Sequence, residues 1–422
     1  PKRRIGRVPH ILGAPPMQVV YAKQSLPESW TSCVLLAGPT PRSPDVPSWR
    51  PDALRMLEEA EYGGVVLVPE VEDGEWRSGP DAYLEQVEWE KEGLELADVI
   101  LFWIPRDMDT LPGLTTNVEL GRYATSGKII LGAPEGATSV RYPEWLIKDT
   151  NPNSNPTRHK TLEGTVDAVL ARIESLTGGE STYRIGGARC VPLHIWTLPS
   201  FQEWYRAQVR AGNRLDDARL LWHFRAPKMK VVFAWVMWVK VWITAEERWK
   251  ENEWVVSRPD VSTVVLYSRQ DDDAHAEDYR LDVLDTEVVI VREFRSPART
   301  PDGTIRELAG GSSFKPGQDP LKVACDEVHE ETGIILSPQR LRKIGSRQVA
   351  GTLSAHHAVC YSAELSPEEM SQAKALAGQT FGVEEDTERT TVEVTSVRDL
   401  LHGESGVDWS NLGMIFGAVF SH

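Results

Sequence analysis

Cysteine is scarce in this chain: four residues in 422, Cys33, Cys190, Cys325 and Cys360, lie far apart and show no CxxC or zinc-type spacing. That pattern argues against a cysteine-held metal and reads as reduced thiols of a cytosolic protein. Long hydrophobic runs are missing too, since no apolar stretch approaches the roughly 18 residues that mark a membrane span. The basic opening PKRRIGR is followed by no apolar segment, so it does not read as a secretory signal. A cytoplasmic location and no membrane partner are therefore expected. Positive charge is in deficit, with 46 Lys and Arg against 62 Asp and Glu and a net charge of −16. Phosphate backbones are held mainly by Lys and Arg, so nucleic acid is not an expected partner. A small phosphorylated ligand stays open, because metal or arginine can meet its charge locally.

What is present is the composition of an ordinary globular protein, 41% hydrophobic and 26% charged. The length exceeds what one core usually organises, so two domains are expected. Residues 1–30 are Pro-rich and basic and read as an N-terminal arm. CVLLAGPTPR reads as a strand with a Gly-Pro loop, and WRPDALRMLEEAEYG as the helix after it. GVVLVP, DVILFWIP and KIILGAP are further buried strands, with VEWEKEGLELA and NVELGRYATSG as helices between them. This alternation predicts an α/β fold, a doubly wound parallel-sheet domain over 31–180. A closing helix carries Leu162, Val166, Val169, Leu170 and Ile173 at helical spacing. Glycines at 178, 179, 186 and 187 mark a boundary near 185. A β-rich second domain is expected over 186–422, with an N-terminal extension over 186–227. The DDDAHAED run at 271–278 reads as a solvated hairpin loop. Trp235, Trp238, Trp242, Trp249 and Trp254 read as core or a homodimer face before a base-stacking platform.

In the C-terminal half, Leu321 to Thr332 is a good helix former, begun by Asp319-Pro320 and stopped by Gly333. Glu327, Glu330 and Glu331 are three and four residues apart and share one helical stripe. Three such carboxylates repel one another unless a cation sits among them, or unless the stripe is a solvated acidic face. Hard oxygen donors suit Mg²⁺ or Mn²⁺, which neutralise a diphosphate and acidify an attacking water. The segment GGSSFKPGQDPLKVACDEVHEETGI, residues 310–334, resembles the Nudix box, G-x5-E-x7-R-E-U-x-E-E-x-G-U with U aliphatic. It departs from that pattern at Ser312, Gln318 and Asp326, which stand where Gly, Glu and Arg are required. VIVREFRSP, RELAGGS and GTLSAHHAVCYSAEL narrow the resemblance to the ADP-ribose and nucleoside-diphosphate-sugar pyrophosphatase branch. The resemblance implies an α/β/α Nudix-fold domain with a mixed sheet. It implies Glu327, Glu330 and Glu331 as ligands of Mg²⁺ or Mn²⁺, with Glu307 as an extra ligand and Arg295 at the substrate. It further implies Glu385 or Glu388, from an acidic loop, as general base, and a homodimer as the assembly. In the family, the arginine replaced here by Asp326 orients a catalytic glutamate, which an aspartate cannot do.

In the N-terminal half, LLAGPTPR, then WE at 89–90, ADVILFW at 97–103 and TTNVELGRYATSGK at 115–128 come in a recognisable order. They resemble the nucleoside 2-deoxyribosyltransferase family and its N-glycosidase relatives over about residues 30–147. Breaking an N-glycosidic bond develops positive charge on the sugar, which a carboxylate beneath the anomeric carbon stabilises or attacks. Glu119, read as opening a helix after a strand and loop, would project into the crevice beyond the sheet's carboxyl edge. The match to the family's ELG motif implies Glu119 as nucleophile. Glu90 takes the place of a family aspartate that handles the base. Asp98 is a further candidate acid, or else a cap of the strand entry. The Gly38-Pro39 turn would approach the sugar or a 5′-phosphate, and Asn117 the sugar hydroxyls. Asp107 and Asp109 stand in for part of the family's acidic loop.

The expected function is a bifunctional nucleotide-processing enzyme, acting on small nucleosides or nucleotides. One domain cleaves or exchanges an N-glycosidic bond and the other hydrolyses a nucleoside-diphosphate-linked substrate. The alternative is a nucleotide-sensing or regulatory protein with a degenerate Nudix site, which Gln318 and Asp326 favour.

Overall fold

The computed structural model describes residues 16–41, 45–72, 80–151, 155–180, 182–225, 232–269, 283–312, 317–382 and 389–420. The chain forms two compact units: Pro1–Leu221 with Met237–Glu253, and Trp222–Val236 with Trp254–His422. Residues 186–221, which the sequence reading attaches to the second domain, fall in the first unit.

In the first unit the strands β1 (Gln18–Tyr21), β2 (Cys33–Ala37), β3 (Val65–Val68), β4 (Val99–Trp103) and β5 (Ile129–Gly132) form one sheet. Their order is β1-β3-β2-β4-β5, and every neighbouring pair is parallel. The helices are α1 (Arg50–Glu59), α2 (Pro80–Leu96), α3 (Leu114–Tyr123), α4 (Arg141–Thr150), α5 (Leu162–Thr177) and α6 (Pro199–Arg210). Every residue of β2 and β4 is buried, as both faces of a parallel sheet must be when helices cover them. Leu35, Ala37, Ile100 and Phe102 share a core with Trp89 and Leu94 of α2, Leu120 of α3 and Ile147 of α4. Val34, Leu36, Leu101 and Trp103 point to the opposite face and pack with Ala53 and Leu57 of α1 and Val166 and Val169 of α5. The period of two along each strand thus fills two cores at once.

One sequence expectation is corrected here. Residues 18–21, read as part of a loose arm, are β1, an edge strand registered Gln18 on Val65 through Tyr21 on Val68. Four residues are too few to show a period, and the partner strand that orders them is remote in sequence. The closing helix α5 starts where local chemistry dictates. The Thr161 side chain accepts from the Gly164 amide at 3.1 Å, and Gly178 ends the helix in the left-handed region at φ +62°.

Residues 214–257 form β6 (Arg214–Arg225), β7 (Val232–Ile243) and β8 (Arg248–Ser257), in the order β8-β7-β6. Within the tryptophan cluster, Trp235 is fully buried, whereas Trp249 and Trp254 are exposed.

The second unit is built on a mixed sheet. Its strands are β9 (Val261–Ser268), β10 (Glu287–Phe294), β11 (Thr304–Glu307), β12 (Gly310–Gly311), β13 (Arg342–Gln348), β14 (His357–Glu364), β15 (Thr380–Phe381) and β16 (Thr390–Ser396). The order is β13-β14-β9-β10-β16-β15, with β11 on β10 and β12 on β9. The β9–β14 pair is parallel, and β9–β10 and β10–β16 are antiparallel. Helices α7 (Pro320–Thr332) and α8 (Pro367–Leu376) share a core with Val264, Leu266 and Val289. Helix α9 (Trp409–Phe420) packs with Val265, Tyr267 and Val288 from the other face. The run at 271–278 lies outside the described residues. Among the described residues no helix is long and apolar enough to cross a membrane, and all four cysteines are free.

Candidate active site

The chain leaves β2 through Gly38 and β3 through Pro69 and Glu70, all at the carboxyl edge of the parallel sheet, where open α/β sheets bind ligands. A cavity of about 630 Å³ opens there, lined by Gly38, Pro39, Arg50, Gln86, Glu90 and Glu119, among others. Gly38 has φ +152°, and a Cβ on it would stand 2.1 Å from the Trp103 carbonyl oxygen. Only glycine lets the loop pass that close to β4. The Trp49 indole then donates to the Pro39 carbonyl at 3.2 Å and fixes the turn.

Arg50, the first residue of α1, is 1% exposed. Its Nε donates to the Leu36 carbonyl at 3.0 Å and its Nη2 to the Gly38 carbonyl at 2.9 Å. Its Nη1 donates to Thr40 Oγ1 at 3.2 Å and to Glu70 Oε1 at 2.5 Å. Ser48 donates to the same Glu70 carboxylate at 2.9 and 3.0 Å. The guanidinium is thus spent on the loop and on Glu70, and it reaches the two cavity carboxyls only as a field.

Those carboxyls come from different helices, Glu90 on α2 and Glu119 on α3. Burial raises the Glu119 pKa to about 7, with the charge of Glu90 adding and that of Arg50 opposing. Burial raises Glu90 as well, against the Gln86 hydrogen bond and Arg50. Two half-buried acids facing one open space, both with raised pKa values, can exchange protons with a substrate near pH 7. Helix α3 starts at Leu114, so Glu119 lies within it and not at its opening as expected from the sequence.

The other N-terminal candidates are placed elsewhere. Asp98 precedes β4 and so lies at the opposite edge of the sheet from the cavity. It accepts from the Cys33 amide at 2.8 Å and the Leu193 amide at 3.0 Å, and pairs with Arg184 with both side chains fully buried. It ties two strand starts to the segment around 184–193, and the catalytic expectation for it is corrected to a structural one. Asn117 is exposed, and its Oδ1 is taken by Arg106 Nη2 at 2.6 Å, outside the cavity lining. Asp107 accepts from the amides of Asp109 and Thr110 in an exposed turn.

In the second unit α7 begins and ends as its sequence requires. Asp319 accepts from the Leu321 amide at 3.0 Å, Pro320 is the first residue, and Gly333 ends the helix at φ +71°. Glu331 is 7% exposed and accepts from the Gly310 amide at 3.0 Å. The Glu327 carboxylate lies against Gly311, where any Cβ would come within 2.2 Å of Oε1. Gly311, one residue early for the expected pattern, is therefore the glycine that makes room for Glu327. Glu330 is exposed, as is Asp326.

Arg295 is held inside the acidic group. It donates to both oxygens of Glu307 at 3.2 and 3.0 Å and lies 2.8 Å from Glu293 Oε2. Burial works against its charge, but Glu307, Glu293 and Glu331 more than offset this and raise its pKa. Glu307 and Arg295, expected at metal and substrate respectively, thus meet each other. Among the described residues no three His, Cys, Asp or Glu side chains are gathered so as to hold a metal ion. Of the four residues expected to hold Mg²⁺ or Mn²⁺, Glu307 is thus already engaged by a guanidinium, which does not fit its expected place as an extra ligand. Glu385 and Glu388 lie outside the described residues.

Arg50, Glu70 and Gln86 escaped the sequence reading. A signal existed for two of them. A basic residue at a helix start opposes the helix dipole and needs another reason to be there, and Gln86 stands four residues before Glu90. Among curated proteins none matches the chain. Residues 31–137, which hold every cavity residue named above from Gly38 to Glu119, match the family described as "Nucleoside 2-deoxyribosyltransferase like", so the first unit contains a domain of that kind.

Proposed function

We propose that the first unit breaks or transfers the N-glycosidic bond of a nucleoside or nucleotide, with Glu119 as nucleophile and Glu90 as the acid for the departing base. The carrying observation is that Glu90 and Glu119 line one cavity whose buried arginine is already neutralised by Glu70. In the reacting state Glu119 is a carboxylate and Glu90 holds a proton. Glu119 attacks the anomeric carbon, the C–N electron pair leaves with the base, and the Glu90 proton goes to the base nitrogen. Water or a second base then displaces Glu119 from the sugar, and its proton returns to Glu90. Water gives hydrolysis; a base gives transfer. The test is product chromatography over a panel of nucleosides and nucleotides. Wild type should release free base and Glu119→Gln should not. Equal release by both, or none from any substrate, would sink the assignment.

For the second unit we propose recognition of a nucleoside-diphosphate-like ligand beside α7, β11 and β12. The support is the Nudix-like order of its motifs and the glutamates carried there. Hydrolysis of that ligand would take Mg²⁺ or Mn²⁺ on Glu327, Glu330, Glu331 and Glu307, and the ion would supply charge neutralisation and an acidified water. The engagement of Glu307 by Arg295, with Gln318 and Asp326 in the pattern, favours binding without turnover. Incubation with ADP-ribose and Mg²⁺ discriminates the two. Product formation that Glu330→Gln abolishes establishes hydrolysis, and saturable binding without product establishes the sensor.

A further inference from the structure

Gln86 precedes Glu90 by one helical turn on α2, so the two side chains share a face. It is 6% exposed, lines the cavity, and its Nε2 donates to Glu90 Oε1 at 2.7 Å. Its carboxamide oxygen is buried and has no hydrogen-bond partner. An orphaned buried acceptor weakens folding, and methionine would fill nearly the same volume without one. The amide therefore has a use other than packing.

We propose that Gln86 is a positioning residue for the glycosidic chemistry, setting which of the two cavity carboxyls, Glu90 or Glu119, holds their shared proton. This rests on the N-glycosidic reading of the cavity. A carboxylate only accepts hydrogen bonds, whereas a carboxylic acid also donates one, and a carboxamide offers one end for each. With Nε2 toward Glu90, Gln86 holds the carboxylate. Turned half a revolution about its last bond, it presents its oxygen to a protonated Glu90. One end of the amide stays unsatisfied in either orientation, so neither state of Glu90 is locked.

The other charged or titratable groups around the cavity, among the described residues, do not make this choice. Arg50 on α1 acts on Glu90 and Glu119 alike, and its charge is met by Glu70 beyond β3. Lys23, after β1, is 4.0 Å from Glu85. Tyr83 stands exposed on α2. Gln86 alone of these is hydrogen-bonded to Glu90 and not to Glu119. Without its donor, the Glu90 carboxylate is less stable and takes the proton more readily. Glu119 then faces less negative charge and ionises at lower pH. A carboxylate in place of Gln86 removes the same donor and adds negative charge beside the pair, so Glu90 should again take the proton more readily, whereas Glu119 should ionise at higher pH instead of lower.

The experiment uses the full chain with Gln86→Met and Gln86→Glu. It reads the pH profile of kcat/KM for base release, the melting temperature, and ¹³C NMR titrations of the glutamate carboxyls, assigned with Glu90→Gln and Glu119→Gln. For Gln86→Met the acid limb should move down by about half a pH unit or more. Its kcat should fall roughly tenfold with KM within about twofold, and its melting temperature should hold or rise. For Gln86→Glu the limb should move up. Limbs and carboxyl titrations that stay in place in both variants overturn the proposal. So does a lowered melting temperature with an unchanged profile, which is what a packing role predicts. If wild type releases no base from any substrate, the glycosidic reading fails separately, and unmoved NMR titrations would then overturn the Gln86 assignment by themselves.

Discussion

Arg50 and Arg295 each sit among glutamates, yet they leave their neighbours in opposite states. Arg50 donates to the carbonyls of Leu36 in β2 and Gly38 just after it, to a threonine and to Glu70, and is hydrogen-bonded to neither Glu90 nor Glu119. Those two acids are half-buried, without a cation partner among the described residues, and raised in pKa. Arg295 instead grips Glu307 directly and lies against Glu293, so its acids are compensated. An acidic cluster therefore says little about reactivity until the partner of each carboxylate is known. A satisfied ion pair is a structural element, and a buried acid without one is poised to give or take a proton.

Four measurements put this contrast at risk. The largest effect belongs to Glu119→Gln, which should lower base release on the order of 10³-fold or more while leaving the fold intact; circular dichroism beside the rate assay checks both. Asp98→Ala tests whether acidity in the same unit can be purely structural. Leaving Arg184 buried without its partner should cost about 3–5 kcal/mol in urea denaturation, and the protein that remains folded should keep its base-releasing activity.

The third is the pH profile of base release. Below about 7 Glu119 is increasingly protonated and cannot attack, so the rate should rise nearly tenfold per pH unit on the acid side. Once Glu119 is ionised the rise should stop, and the rate should fall again as Glu90 loses the proton it must give the base. A rate that is already flat through pH 5 would show that Glu119 is ionised well below 7 and that the cavity does not hold its proton. The smallest effect is expected in the second unit. Arg295→Met should free Glu307 and Glu293 and tighten Mn²⁺ binding roughly tenfold or less, read by electron paramagnetic resonance. Unchanged or weaker Mn²⁺ binding would show that Arg295 does not compete with metal, and the contrast with Arg50 would lose its force.

Much of the architecture was legible because it is written locally. The alternation of buried strands and helices in residues 33–132 follows from periods of two and of about 3.6 residues. The ends of α7 follow from Asp319, Pro320 and Gly333, each acting within one turn. Glu119 and Glu90 were found through motif order, and both line the cavity. Asp98 stayed open between catalytic acid and cap because an aspartate at a strand entry looks the same in sequence whether it faces substrate or Arg184, 86 positions away. Arg50 went unnoticed because its partner Glu70 stands 20 residues on, beyond a helix and a strand.

Local residue spacing set most of the helices and strands, though not the edge strand β1, together with the apolar face of each and the acidic residues that share a helical stripe. Which carboxylate meets a cation came from the tertiary fold alone. Periodicity is set by backbone geometry over one or two turns. Charge compensation depends on side chains brought within about 3 Å by elements remote in the chain, and in low-dielectric surroundings that distance decides whether an acid is held or available.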